Sequence, residues 1–148
     1  MLAKCFDDFV VEEVFETPAR TITEADIVNF AGVSGDFTPL HMDEEFAKQG
    51  PFGRRVAHGL LTLAVTIGLW MKMGIFEGTI AAFYGMDRLR FTKPVYIGDT
   101  IRARVRITEK VDKGQYGLMT LENEVTNQRN ETVLVFQAKL LMKKKSQA

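Results

Sequence analysis

An aspartate and a histidine five residues apart are the pair in this chain best suited to chemistry. They stand as Asp36 and His41 in the stretch FAGVSGDFTPLHMDEEFA, from Phe30 to Ala47, with Gly35 before them and Pro39 between them. A carboxylate and an imidazole on one stiffened turn can grip a single water, and such a pair gives and takes protons near neutral pH. Gly35 permits backbone angles that other residues avoid, and Pro39 fixes its own φ and keeps Thr38 extended. The spacing predicts a loop rather than a helix or strand. In isolation the same pair also reads as a turn carboxylate capping local N–H groups beside a packed imidazole.

The elements that must position this turn follow from periodicity and caps. Phe6 to Phe15 reads either as a strand or as an irregular lead-in, and Thr17-Pro18 breaks it. Thr23 is an N-cap with Asp26 in capping-box position, so a short helix is expected from Glu24 to Val33. It delivers the chain into Gly35-Asp36. Asp43-Glu44-Glu45 opens a second short helix that stops near Gln49-Gly50-Pro51. The stretch from His58-Gly59 to Met73, ended by Gly74, is apolar on nearly every side and is expected to be a helix buried all round.

From Thr79 the pattern becomes strands. Thr79 to Met86 continues through Arg88 to Thr92, and Ile97-Gly98-Asp99 is a turn. Thr100 to Glu109 alternates, with Ile101, Ala103, Val105 and Ile107 on one face and arginines on the other. Asp112-Lys113-Gly114 is a hairpin turn between that strand and Tyr116 to Thr126, and Thr132 to Met142 closes the chain after a turn at Asn127 to Glu131. Helical segments, one apolar helix and about four antiparallel strands give an α+β layer, a curved sheet around a helix.

Composition narrows the function classes. The 148 residues suit one domain. Lys+Arg and Asp+Glu are both 19, so net charge gives no argument for nucleic acid. Cys5 is the lone cysteine, which fits a reducing compartment without an intrachain disulfide. No apolar run reaches the length of a membrane span, and the N-terminus lacks a signal peptide's apolar core. The expectation is a cytoplasmic protein acting without membrane or nucleic acid.

The pattern Phe30, Ser34-Gly35-Asp36-Phe37-Thr38-Pro39-Leu40-His41, Ala47 resembles the signature of the MaoC-like dehydratases, which include the R-specific enoyl-CoA hydratases. The resemblance continues in Ala57-His58-Gly59-Leu60, in the run from Arg90 to Thr100, and in Asn127-Gln128. It implies a single hotdog domain over residues 1–148. The activity it implies is reversible addition of water to a trans-2-enoyl thioester, with Asp36 and His41 as the catalytic pair. Thr38 stands where the family has Asn. That Asn offers a donor and an acceptor to the catalytic pair or its water, and Thr offers one hydroxyl that can do both on a shorter side chain, so the substitution is tolerated, tunes the substrate or weakens the enzyme, or Thr38 simply holds the turn.

The resemblance also implies that the N–H of Gly59, in the first turn of the long helix, binds the thioester oxygen as it turns enolate-like, since that N–H lacks a helical partner. The plainer reading is that Gly59 lets the helix pack closely. Thr38, Arg54, Arg55 and His58 complete the expected substrate site, with Arg88, Arg90 and Lys93 as further cations for the phosphates of coenzyme A. For each cation the alternative is plain solvation, and Lys143-Lys144-Lys145 reads as a solvated tail. The methionines and Trp70 read as core. His58 paired with His41 makes a poor metal site without matched Cys or clustered carboxylates, so no metal and no cofactor are expected. A capping or supporting hydrogen bond suits His58 better. A homodimer is expected, because a lone curved sheet leaves edges to be covered. Two other functions fit the same framework: a hotdog thioesterase, and a subunit that binds acyl thioesters without chemistry.

Overall fold

A computed structural model describes residues 2–147. The elements are a 3-10 turn at Phe6–Asp8, β1 (Val14–Glu16), β2 (Arg20–Thr21), α1 (Glu24–Ser34), α2 (Pro39–Met42), α3 (Glu44–Lys48), α4 (Gly59–Lys72), β3 (Ile80–Phe91), β4 (Thr100–Asp112), β5 (Tyr116–Thr126) and β6 (Thr132–Lys143). The strands form one antiparallel sheet in the order β1-β4-β5-β6-β3, with β2 also pairing β4. The chain is α+β, as its pattern predicts. The lead-in from Phe6 to Phe15 holds the 3-10 turn and the start of β1, and β2 was not expected from sequence; each of these short strands is held by β4 rather than by its own pattern.

The alternation of β4 is real. Ile101, Ala103, Val105 and Ile107 are all buried, and Met119, Leu121 and Val125 of β5 meet them on the same side. Leu61, Val65, Leu69 and Trp70 of α4 complete this core. The Trp70 indole N–H donates to Asn123 Oδ1 at 2.9 Å, so its one polar atom is satisfied where the ring is fully buried.

The expectation that α4 is buried all round is corrected. Leu60, Ala64, Gly68 and Met71 form an exposed stripe along it. Apolar residues at helical spacing say what can be buried, and the sheet covers only one side of the helix. The solvated lysine tail is also corrected. Lys144 Nζ pairs with Asp112 at 2.5 Å and Lys145 Nζ with Asp8 at 2.7 Å, which ties the end of the chain to a hairpin and to the N-terminal turn. β3 is a single strand, as its two pieces suggested, with breaks in register that include one between Asp87 and Arg90, where Arg88 adopts φ 53°.

Candidate active site

α1 starts where its caps predict: Thr23 Oγ1 accepts from Asp26 N, and the Asp26 carboxylate accepts from Thr23 N. It ends at Gly35, whose φ of 77° is the left-handed region that favours glycine. Asp36 follows on an exposed turn. Its backbone N–H donates to Ser34 Oγ at 3.1 Å, and that hydroxyl donates to Phe30 O at 2.7 Å.

Thr38 does not line the cavity described below. Its hydroxyl donates to Asp36 Oδ1 at 2.5 Å, and its backbone N–H donates to the same oxygen at 3.1 Å. Those two bonds, the hydroxyl's first, hold the Asp36 carboxyl below its ordinary value, with smaller help from the nearby imidazoles. Oδ1 is thereby occupied, while Oδ2 has no partner among the described residues. Thr in this position acts on the carboxylate.

His41 lies on the single helical turn α2 rather than on the loop its spacing predicts. Pro39 sits at the first position of that turn, where a missing N–H costs nothing and its φ is already helical. The His41 ring is buried, and Nδ1 lies 2.7 Å from Val56 O. A carbonyl only accepts, so Nδ1 donates, and the neutral ring keeps its lone pair on Nε2. Arg55 Nε donates to the backbone carbonyl of His41 at 2.6 Å, and its guanidinium pairs with Glu24 at 2.9 Å. Arg55 is therefore a brace between α1 and α2. Nε and Nη1 are thus engaged inside the fold, and Arg55 lies outside the cavity lining described below.

His58 precedes α4 but caps nothing with its side chain. Its Nε2 donates to the backbone carbonyl of Asp36 at 2.9 Å, and its ring stacks on His41 with centroids 3.9 Å apart. This is the supporting hydrogen bond foreseen as one alternative for His58. Nitrogen and oxygen atoms of Asp36, His41 and His58 come within 4.8 Å of one another. Each imidazole spends one nitrogen on a carbonyl, which leaves His41 Nε2 and His58 Nδ1 as the nitrogens without a partner among the described residues.

Gly59 is the first residue of α4, and its N–H lies outside the helical ladder with no acceptor among the described residues. The close-packing reason for glycine also holds: a Cβ here would lie 2.9 Å from the Phe91 ring. His41, Gly59 and Phe91 line one cavity of about 290 Å³ with Leu40, Phe52, Thr62, Lys93 and Val133 among its walls. The cavity thus joins an imidazole, a free helix N-terminus and apolar walls. Lys93 is the one predicted cation among those walls, and it pairs with Glu131 at 2.6 Å.

Arg54 is exposed and stacks over Tyr96, 3.9 Å from the ring centroid, outside the cavity lining. Arg88 lines a separate hollow with Glu122 and Gln137, and Arg90 donates to the carbonyl of Leu89. The structure does not bring these two to the site. Sequence reasoning missed Val56, and gave Ser34 and Phe91, both inside the quoted motifs, no role of their own. Val56 acts through its carbonyl, which any residue supplies, so no sequence signal could mark it. Phe91 stood in the segment from Arg90 to Thr100 that carries the resemblance, but nothing in its type told that its ring would face Gly59.

Residues 8–129 match the family described as MaoC like domain. The chain is 43% identical over 112 residues to Protein MaoC of Klebsiella aerogenes, covering 76% of this chain but 33% of that protein, so it spans about a third of that relative. It is 32% identical over 143 residues to a 3-hydroxybutyryl-CoA dehydratase of Methylorubrum extorquens, covering 97% of this chain and 87% of the relative. Among solved structures, a monoamine oxidase regulatory protein from Archaeoglobus fulgius superimposes with TM-score 0.91 and 38% identity over 98% of this chain and 97% of that one. The unliganded R-hydratase PhaJ1 from Pseudomonas aeruginosa gives TM-score 0.81 and 30% identity over 95% and 86%. A protein from Mycobacterium tuberculosis described as a double hotdog fold, 22% identical, superimposes with TM-score 0.82 over 95% of this chain and 44% of its own. That last likeness identifies the fold as hotdog.

Proposed function

The chain belongs to the MaoC-like dehydratase family, and from that premise we propose that it is a hydro-lyase adding water reversibly to a trans-2-enoyl thioester, giving the R-3-hydroxyacyl thioester. The observation that carries the reading is the pair of free acceptors, Asp36 Oδ2 and His41 Nε2, beside a cavity that also holds the free N–H of Gly59. A carboxylate oxygen of Asp36 and a ring nitrogen of His41 lie within 4.8 Å of each other, a separation that one bridging water can cover with two hydrogen bonds of about 2.8 Å.

In the hydration direction the water oxygen bonds to C3 of the enoyl group while its proton passes to the Asp36/His41 pair. The π electrons move onto C2 and the thioester oxygen, where the Gly59 N–H and the α4 dipole stabilise the enolate-like charge. C2 then takes a proton from the pair. One water is added, and both side chains return to their starting states. Every atom that moves belongs to water, substrate or these side chains, so the scheme calls for no metal or redox cofactor. His41 suits the proton acceptor's part, because Val56 leaves Nε2 bare. The carrier is coenzyme A or acyl carrier protein, with Lys93 as a cation in the cavity wall.

The working unit is a homodimer of single-domain chains in the cytoplasm. β3 is an unpaired edge of the sheet, 12 residues long, with Phe83, Tyr84 and Phe91 exposed along it, and such an edge is suited to a second copy. A protein that sediments as a strict monomer while fully active would refute this part.

The test of the chemistry is incubation with crotonyl-CoA, following the conjugated-enone absorbance beside the Asp36→Asn variant. Loss of absorbance without thiol release, absent in the folded variant, is the expected result. Thiol release would identify a thioesterase. Tight binding without turnover across a panel of acyl thioesters would identify a non-catalytic subunit.

A further inference from the structure

The geometry points to His58 as the positioning residue that holds Asp36 and His41 in working register, a role that rests on the Asp36/His41 reading of the site. Asp36 sits on an exposed turn, and its other bonds are local, to Ser34 and Thr38. Its one hydrogen bond to a distant part of the chain, among the described residues, comes from His58 Nε2 to its backbone carbonyl. That bond ties the turn after α1 to the start of α4.

The same ring fixes His41. The two imidazoles stack with centroids 3.9 Å apart and planes 26° from parallel, and Phe30 packs on His58 at 4.9 Å. His58 is 2% exposed, so it has little freedom to move without displacing both neighbours. It also precedes Gly59 directly, so one residue spaces the carboxylate, the imidazole and the helix N–H that faces the cavity.

His58 carries a cost that packing alone does not explain. The Asp36 carbonyl can only accept, so the neutral ring keeps its proton on Nε2. Nδ1 is then a buried acceptor, and it has no partner among the described residues. A buried unsatisfied polar atom is unfavourable and is kept where another requirement outweighs it. Phe would fill the same space without that atom, yet it could not hold Asp36.

Two substitutions separate the tether from the ring. His58→Phe keeps an aromatic face against His41 and loses the donor. His58→Gln keeps an N–H donor and loses the face. With crotonyl-CoA as substrate, His58→Phe is expected to lower kcat by about tenfold or more while KM changes little, because misplacement of catalytic groups costs rate. His58→Gln should recover part of that loss.

Nitrogen-15 NMR of the free wild-type protein should show His58 protonated on Nε2, and backbone relaxation should show residues 36 and 37 loosened in His58→Phe. Wild-type kcat and unchanged relaxation in a folded His58→Phe would overturn the inference, as would a His58 proton found on Nδ1. Should His58→Phe fail to fold, His58→Gln and the wild-type tautomer still decide it. Absence of turnover in the wild type would break the hydratase reading instead, and the NMR measurements would then judge the tether alone.

Discussion

Two Gly-Asp turns in this chain have the same residue types and opposite fates. Gly35 and Gly98 both adopt positive φ, 77° and 93°, and each is followed by an aspartate. Asp99 is buried, with Oδ2 accepting from Tyr96 N at 2.9 Å and Oδ1 from Gln128 Nε2 at 2.8 Å. Gln128 in turn accepts from Thr100 N, and the backbone of Gly98 and Asp99 bonds with Ile22. Both oxygens of Asp99 are spent on holding loops together. Asp36 is exposed, has only Oδ1 engaged, and stands beside a cavity and two imidazoles. A saturated carboxylate is a structural fastener, and one with a free oxygen beside a base is available for chemistry.

The sharpest way to break that contrast is to neutralise each turn. Asp36→Asn should lower turnover of crotonyl-CoA by about 10²–10⁴-fold, the usual scale of an acid–base group, while thermal stability stays within about 0.5 kcal/mol. Asp99→Ala should do the reverse. It strands buried donors and should cost about 1–3 kcal/mol in chemical denaturation, with turnover per folded molecule preserved. Equal losses of activity without loss of stability in both variants would end the distinction between the two turns.

Thr38→Val tests the clamp on Asp36 more gently. It removes the hydroxyl, the largest cause holding the carboxyl below its ordinary 3.8, and leaves the backbone N–H. The titration of the Asp36 side-chain carbon, followed by carbon-13 NMR, should move upward. In the proposed mechanism Asp36 works ionised, so activity on the acid side should then fail at a higher pH than in the wild type. An unmoved titration would refute the clamp.

The smallest effect belongs to Glu131, which bonds to Arg129 beside the Asp99 turn. Hydrogen bonds from Lys93, then Arg129 and Asn127, pull its carboxyl from 4.5 to about 2. A carboxyl lowered on folding contributes stability that is full above about pH 4.5 and is lost as pH falls toward 2. Glu131→Gln should therefore flatten the fall in stability between pH 4.5 and 2 in denaturation series, with a small loss of stability near neutrality that vanishes as pH falls toward 2.

Much of the frame was legible locally. The capping box at Thr23 and Asp26, the hairpin turn after β4 and the alternation of Ile101 to Ile107 depend on neighbours a few residues apart, and sequence shows those directly. The short helix α2 escaped notice because four residues carry no periodicity. Arg55 looked like any cation of a phosphate site, and Thr38 like a substrate contact. Their partners, the His41 carbonyl and the Asp36 carboxylate, are choices of geometry that residue type does not encode.

By itself the sequence determined that a carboxylate and an imidazole stand five residues apart, with Gly35 before them and Pro39 between them, and that an apolar helix beginning at Gly59 meets alternating strands. Those are consequences of local backbone limits and of burial pattern. Only the tertiary structure decided which atoms remain free: Val56 takes His41 Nδ1, Thr38 takes Asp36 Oδ1, and His58 takes the Asp36 carbonyl. Of these, the bonds from Val56 and His58 join segments 15 and 22 residues apart, and the free atoms they leave exist only when those segments pack together.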